Sequence, residues 1–235
     1  MISFNPRLTT PQTQELVIQA LEQGDLSAGG PFTDKVGSLI SDLHLGAHTY
    51  LTKSCTTALE FAALLLSIGP GDEVILPSFT FSSTANAFAL RGASLKFADI
   101  DPATFSAELP QITPHLTKKT RAVVTMAYGG VTRDIKTISH HCQALNIPLV
   151  QDNALGLFAT IDGTPLGAIG DMSTLSFHQT KSLSCGEGGA LVINKPMDIE
   201  RADCIANNGT NRLAFLRGEV DKYTWQSLGS NMGLS

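Results

Sequence analysis

A chain of 235 residues with only 16% charged side chains and a net charge of −5 is long enough for one sizeable core and carries no basic footprint for nucleic acid. No apolar run reaches membrane-spanning length and the stretch from Met1 to Arg7 lacks a signal-peptide core, so the composition reads as cytoplasmic, with no membrane partner. The four cysteines, Cys55, Cys142, Cys185 and Cys204, form no CxxC pair and have no histidine at ligand spacing, which points to free thiols rather than to a zinc site or a disulfide framework.

Thr10 ahead of Pro11 marks a capped helix start, and Val17, Ile18 and Leu21 share one face of a helix running to Gln23. Gly29, Gly30 and Pro31 break it. A second helical pattern covers 32–43 and leads to a short strand around Tyr50 and Leu51. From there strand and helix alternate, with strands expected at 73–76, 95–98, 122–126, 149–151, 172–175 and 190–193 and helices at 58–66, 83–90, 110–116 and 135–145. The strands are short, apolar and rich in valine and isoleucine, as in a parallel sheet buried on both faces. The expected fold class is therefore a doubly wound α/β domain, a mostly parallel sheet flanked by helices.

Sheets of this class take ligands at the carboxyl ends of their strands. After Leu51 come Ser54, Cys55, Thr56 and Thr57 at the start of a helix, where free backbone amides and the helix dipole make an anion site; helix capping alone is the plainer reading of the same residues. Phe79, after the strand that ends at Leu76, is either core or an aromatic face for a planar ligand, and residue type alone favours core. Asp152 ends a buried strand and is more than a surface charge only if it meets a cation. Lys181 falls in the loop between the last two strands, beside Ser176, His178, Thr180 and the run Gly186, Glu187, Gly188, Gly189. A loop lysine is ordinarily solvated. Few charges and several glycines surround this one, the setting in which an amine loses its proton readily and attacks carbonyls.

A phosphate at Ser54 to Thr57, a ring beside Phe79, a carboxylate for a ring nitrogen and an amine at Lys181 together match pyridoxal 5'-phosphate. The chain resembles the sugar-nucleotide aminotransferases, pyridoxal-phosphate enzymes with the fold of aspartate aminotransferase. The resemblance rests on the run from Gly71 to Val74 before Pro77, on Asp99 to Pro102, Gly129 and Gly130, Asp152, and Ser176 through Lys181 to Gly189. It implies that Lys181 is catalytic and holds the cofactor, Asp152 binds its ring nitrogen, Phe79 stacks on the ring, and Thr56, Ser176 and the amide of Cys55 bind the phosphate. No metal is implied.

Phe81, Ser83 to Phe88, Gly209 to Arg212 and Val220 to Trp225 extend the resemblance to the branch that makes dTDP-4-amino-4,6-dideoxygalactose for bacterial surface polysaccharide, enterobacterial common antigen or O-antigen. That implies L-glutamate as amino donor, a dTDP-linked 4-keto-6-deoxyhexose as acceptor and a homodimer. A related branch performs dehydration with histidine in place of the lysine, and Lys181 argues against it. Where the family has Gln or His three residues after the aspartate, this chain has Leu155, which has no hydrogen bond to give; Asn153 compensates if its loop turns inward. The resemblance also implies that residues 1–235 are the large cofactor-binding domain with an N-terminal helical segment, and that the small C-terminal domain is absent. The alternative is a non-catalytic truncated relative that still folds and pairs.

Overall fold

The structure, a computed structural model, describes residues 9–197 and 199–235. The stretch from Met1 to Arg7 lies outside them. The first described element is α1 (Pro11–Gln23), capped as the sequence predicts: Thr10 accepts from the Thr13 amide while the Thr13 side chain returns the bond, and Pro11 fills the first turn. This helix buries none of its residues, and Leu16, Val17, Ile18 and Leu21 face outward. After α2 (Pro31–Leu43) the chain enters the sheet at β1 (His48–Thr52) and continues through α3 (Cys55–Leu65), β2 (Glu73–Pro77), α4 (Ser82–Ala89) and β3 (Ser94–Ala98). Next come α5 (Leu109–Ile112), β4 (Thr120–Met126), α6 (Ile135–Ala144), β5 (Leu149–Asp152) and the small hairpin of β6 (Thr160–Ile161) and β7 (Thr164–Pro165). β8 (Met172–Ser176), β9 (Gly189–Ile193), α7 (Ile199–Ala206) and α8 (Arg212–Leu216) complete it.

Seven strands form one sheet in the order β1-β9-β8-β5-β4-β2-β3. All pair in parallel except β9, which runs antiparallel to both β8 and β1. The strand-to-strand step from β8 to β9 has no helix in it, so it returns as a hairpin and reverses β9. Helices cover both faces, as expected for a doubly wound domain. On one face α3, α4 and α7 pack Phe61, Phe88 and Ile205 against Val74, Leu76, Val124, Val150 and Leu191. On the other, Ile112 of α5 and Ile135 and Ile138 of α6 meet Ile75, Val123 and Leu149, and Ile40 of α2 meets Leu51, Leu175 and Val192. The hairpin of β6 and β7 and the helices α7 and α8 were not evident from periodicity, since each is too short to show a repeat.

Because the parallel strands share one direction, Thr52, Pro77, Met126, Asp152 and Ser176 all reach the same edge of the sheet. The connections from β2 and β4 leave towards opposite sides, to β3 and to β5, which makes this a topological switch point of the kind at which such sheets bind ligands. The register places Asp152 directly between Met126 of β4 and Thr174 of β8. Close approach at this edge depends on Gly189, the first residue of β9: a Cβ there would lie 2.5 Å from the Cys55 amide nitrogen and 2.7 Å from the Leu175 carbonyl oxygen. Gly189→Ala is therefore expected to cost about 1–3 kcal/mol of stability, because backbone cannot move aside as a side-chain end does. Urea unfolding measures it, and an unchanged midpoint would mean that the helix start does not rest on the strand.

Candidate functional site

Asp152 is 4% exposed, a carboxylate withdrawn from water at the end of β5. Side chains alternate along that strand. Gln151 and Asn153 turn to one side, where the Gln151 amide donates to the Leu166 and Ile169 carbonyls, while Asp152 turns to the face that carries α3 and α4. There Thr84 Oγ1 donates to Oδ2 at 2.6 Å, and Oδ1 accepts from the Ala154 amide at 3.3 Å and from Cys55 Sγ at 3.8 Å. None of the ion pairs among the described residues includes Asp152. Burial pushes its carboxyl pKa above the ordinary value; the bonds from Thr84 and Ala154, the charge of Lys181 and the Cys55 thiol each pull it back.

The N-terminus of α3 approaches the carboxylate. Ser54 caps it, accepting from the Thr57 amide at 3.1 Å, and the Ala58 amide bonds the Ser54 carbonyl. The first-turn amides of Cys55 and Thr56 are among those that a helix start leaves without an intrahelical partner. Capping by Ser54 thus leaves these two amides available in the same turn. The Thr56 hydroxyl lies 2.7 Å from that of Ser83 on α4, and Cys55 Sγ reaches Thr174 Oγ1 at 3.4 Å. Burial first, and the charge of Asp152 second, hold the Cys55 thiol well above its ordinary pKa, so it stays a neutral donor.

Lys181 is half-buried in the loop that joins β8 to β9. Its amide bonds the His178 carbonyl at 2.9 Å, and the loop is closed by Phe177 to Gly188 and Gln179 to Gly186 backbone bonds. Its charge acts on both Asp152 and Cys55. His178 is engaged locally, with Nδ1 2.9 Å from Thr180 Oγ1 and Nε2 3.4 Å from Glu187 Oε1. Ser176, opposite Gly189 in the hairpin, sits beside the α3 N-terminus that Gly189 abuts.

One expectation changes, and one condition left open by the sequence is decided. Phe79 is 43% exposed, not core, and stands in an aromatic cluster 5.2 Å from Tyr128 and 5.9 Å from Phe105 between ring centroids. Asn153 does not turn toward Asp152: its amide donates to the Gly156 carbonyl at 3.3 Å and folds over that glycine, whose added Cβ would meet Asn153 Oδ1 at 1.9 Å. The alternation of β5 decides this, since neighbours of Asp152 in sequence face away from it. The partners that sequence reasoning missed are Thr84 and Thr174. The signal for Thr174 lies in pairing register and for Thr84 in a contact between residues 68 apart, neither of which one strand's pattern reveals.

All four cysteines are free. No helix among the described residues is long and apolar enough to cross a membrane. A cleft of about 1360 Å³ lies elsewhere, between α2, β1, α8 and the C-terminal tail, lined by Ser41, His48, Tyr50, Arg212 and Ser235, and it contains none of the candidate residues. Size alone does not mark a reactive centre; the buried carboxylate, the start of α3 and the loop of Lys181 lie together at the strand edge instead.

The carboxylate carries a stability signature. With its folded-state pKa above that of the unfolded chain, Asp152 holds its proton more tightly when folded, so its contribution to stability is lost as pH rises from about 4 through the raised value. Asp152→Asn is expected to be more stable than the parent at pH 7 in the absence of ligand, with the advantage shrinking as pH falls toward 4. Thermal unfolding across that range checks it, and a destabilised variant at pH 7 would mean that the ionised carboxylate is a net support of the fold.

The DegT/DnrJ/EryC1/StrS aminotransferase family model matches residues 8–235. A dTDP-4-dehydro-2,3,6-trideoxy-D-glucose 4-aminotransferase of Saccharopolyspora spinosa is 34% identical over 77% of this chain and 48% of its own length. The spore coat polysaccharide biosynthesis protein SpsC of Bacillus subtilis (strain 168) is 35% identical over 96% of this chain and 55% of its own. Among solved structures, the aminotransferase TlmJ of Streptoalloteichus hindustanus superposes with a TM-score of 0.86 at 30% identity, covering 97% of this chain and 60% of that one. The putative sugar aminotransferase Spr1654 of Streptococcus pneumoniae in its PLP form gives 0.85 at 25% identity, over 99% of this chain and 63% of that one. The chain spans about half the length of the curated relatives it matches. On the match along nearly its whole length, the chain belongs to the DegT/DnrJ/EryC1/StrS aminotransferase family.

Proposed function

We propose that this chain is the cofactor-binding part of a pyridoxal-phosphate sugar-nucleotide aminotransferase. The observation that carries the reading is Asp152: a buried carboxylate with hydroxyl and amide donors but no ion pair, beside a lysine and an open helix N-terminus. Folding has already removed this group from water, so a ligand cation that reaches it is bound without further desolvation of the carboxylate. The protonated ring nitrogen of pyridoxal 5'-phosphate is such a cation, and its phosphate suits the α3 N-terminus. The donor set fits both ends of the molecule.

In this reading Asp152 holds the proton on the ring nitrogen, and Lys181 Nζ attaches the cofactor. The amides of Cys55 and Thr56 with the hydroxyls of Thr56 and Ser176 bind the phosphate, where charge-assisted bonds are roughly twice as strong as neutral ones. Phe79, exposed at the head of its aromatic cluster, covers one face of the ring. The cofactor, when bound, supplies an electron sink for the bond-breaking at the donor's α-carbon. Lys181 Nζ, once displaced from the cofactor by the donor's amine, would be free to take the proton from that carbon and return it during transfer.

The substrate pair is L-glutamate and a dTDP-linked 4-keto-6-deoxyhexose, aminated at C4 to give dTDP-4-amino-4,6-dideoxygalactose for bacterial surface polysaccharide. Support comes from the relative named as a dTDP-sugar 4-aminotransferase and from the run of Gly209 to Arg212 and Val220 to Trp225. Residues 1–235 form the large domain. A small C-terminal domain and a second copy of the chain complete the substrate cleft, and a cytoplasmic location suits a nucleotide-sugar substrate. Leu155, which has no polar atom where the family has Gln or His, favours a second reading, a relative that binds cofactor without turning substrate over.

Incubation with pyridoxal 5'-phosphate, borohydride reduction and peptide mass spectrometry test the assignment. The expected result is a reduced cofactor adduct on the peptide containing Lys181, absent from Lys181→Ala and lost from the parent when L-glutamate is added before reduction. An adduct spread over surface lysines would sink the site, whereas an adduct on Lys181 indifferent to L-glutamate would select the second reading.

A further inference from the structure

Asp152 does not reach its position by the sheet alone. Thr84, fully buried in the first turn of α4, donates to Oδ2 at 2.6 Å, the shortest polar contact of the carboxylate. A threonine hydroxyl has one proton, and with an ionised carboxylate as acceptor that proton is committed. Its oxygen is then free to accept, and Thr80 Oγ1 lies 2.7 Å away. Thr80 also approaches Met126 Sδ at 3.3 Å, a much weaker acceptor than a hydroxyl oxygen. The protons are therefore ordered in one direction, from Thr80 to Thr84 to Asp152. Both hydroxyls are taken up by partners within the protein, Thr84 by Asp152 and Thr80 by Thr84 and Met126, so neither is accounted for by binding the cofactor directly.

We infer that Thr84, oriented by Thr80, is a positioning residue that keeps Asp152 ionised and leaves its other oxygen, Oδ1, turned toward a ligand cation. The role in catalysis rests on the reading proposed above; the effect on Asp152 itself does not. A carboxylate buried to this degree tends to take up a proton, and a neutral acid cannot anchor a protonated ring nitrogen. A hydroxyl donating to the charged form opposes that tendency, and a hydroxyl whose own oxygen is engaged donates more strongly. The remaining titratable groups that face Asp152 are the Cys55 thiol from α3 and the Lys181 ammonium from the β8–β9 loop. The Ala154 amide, which also bonds the carboxylate, and Thr174, which pairs with Asp152 in register and bonds Cys55, do not titrate.

The test reads Asp152 directly in the cofactor-free chain. With aspartate labelled with ¹³C at the carboxyl carbon, its resonance is identified by its loss in Asp152→Asn and followed against pH. Thr84→Val keeps the branched shape and removes the hydroxyl, and is expected to raise the titration midpoint by about one pH unit or more, since a hydrogen bond to a charged group is worth that much. Thr84→Ser is expected to stay near the parent. Thr80→Val, which leaves Thr84 in place, is expected to raise the midpoint by a smaller amount and carries the test if Thr84→Val does not fold. A midpoint equal to the parent in the folded valine variants would overturn the inference, as would a rise in Thr84→Ser equal to that in Thr84→Val, which marks a packing effect. With cofactor added, Thr84→Val is expected to bind pyridoxal 5'-phosphate more weakly than the parent, by up to about tenfold at pH values below the parent's Asp152 midpoint, following the protonated fraction of Asp152. A shifted midpoint without any Lys181 adduct in the parent would fault the proposed function and leave the Thr84 to Asp152 link standing.

Discussion

Withdrawing the carboxylate of Asp152 from water is the constraint from which the rest of the site follows. A lone buried charge is expensive, so the surrounding structure must either neutralise it or surround it with donors. This chain does the second. Thr84, the Ala154 amide and the Cys55 thiol contact it, and Lys181 acts on it by its charge, yet no cation sits against it among the described residues. What remains is a group that destabilises the empty fold and gains most from a ligand that brings a positive charge.

The fold supplies those donors from separate elements with little freedom to adjust. Thr84 is carried by α4, Cys55 by α3, and Ala154 by the turn after β5, while β8 places Thr174 beside the carboxylate through its pairing with Asp152. The helices are anchored by fully buried Phe61 and Phe88 against the same sheet face, so a shift of either helix would cost core packing as well as a hydrogen bond. Gly189 allows the strand that follows the Lys181 loop to touch the start of α3. The lysine's loop, the start of α3 and the carboxylate are thereby held by one block of core.

Much of this was legible in the sequence, and the reasons are local. The capped start at Thr10 and Pro11, the short Val- and Ile-rich strands and the Ser54 to Thr57 turn each express their structure within a few residues. Asp152 and Lys181 were legible because the end of a buried strand and a glycine-rich loop are unusual settings for a charge. What stayed hidden depends on pairing between distant segments. The reversal of β9 is set by the hairpin after β8. The orientation of Asn153 is set by the pleat of β5, and the exposure of Phe79 by its place in a cluster with Tyr128 and Phe105 that are themselves exposed. Thr84 and Thr80 read in sequence as ordinary hydroxyl residues at a helix start, and only the sheet brings them to a carboxylate far along the chain.

A crystal structure of the chain with pyridoxal 5'-phosphate bound tests the central claim most directly. The account predicts the ring nitrogen within hydrogen-bonding distance of Asp152, the phosphate on the Cys55 and Thr56 amides, and Lys181 at the aldehyde carbon. A cofactor seated in the cleft beside Tyr50 and Arg212, or a ring turned with its nitrogen away from Asp152, would contradict it.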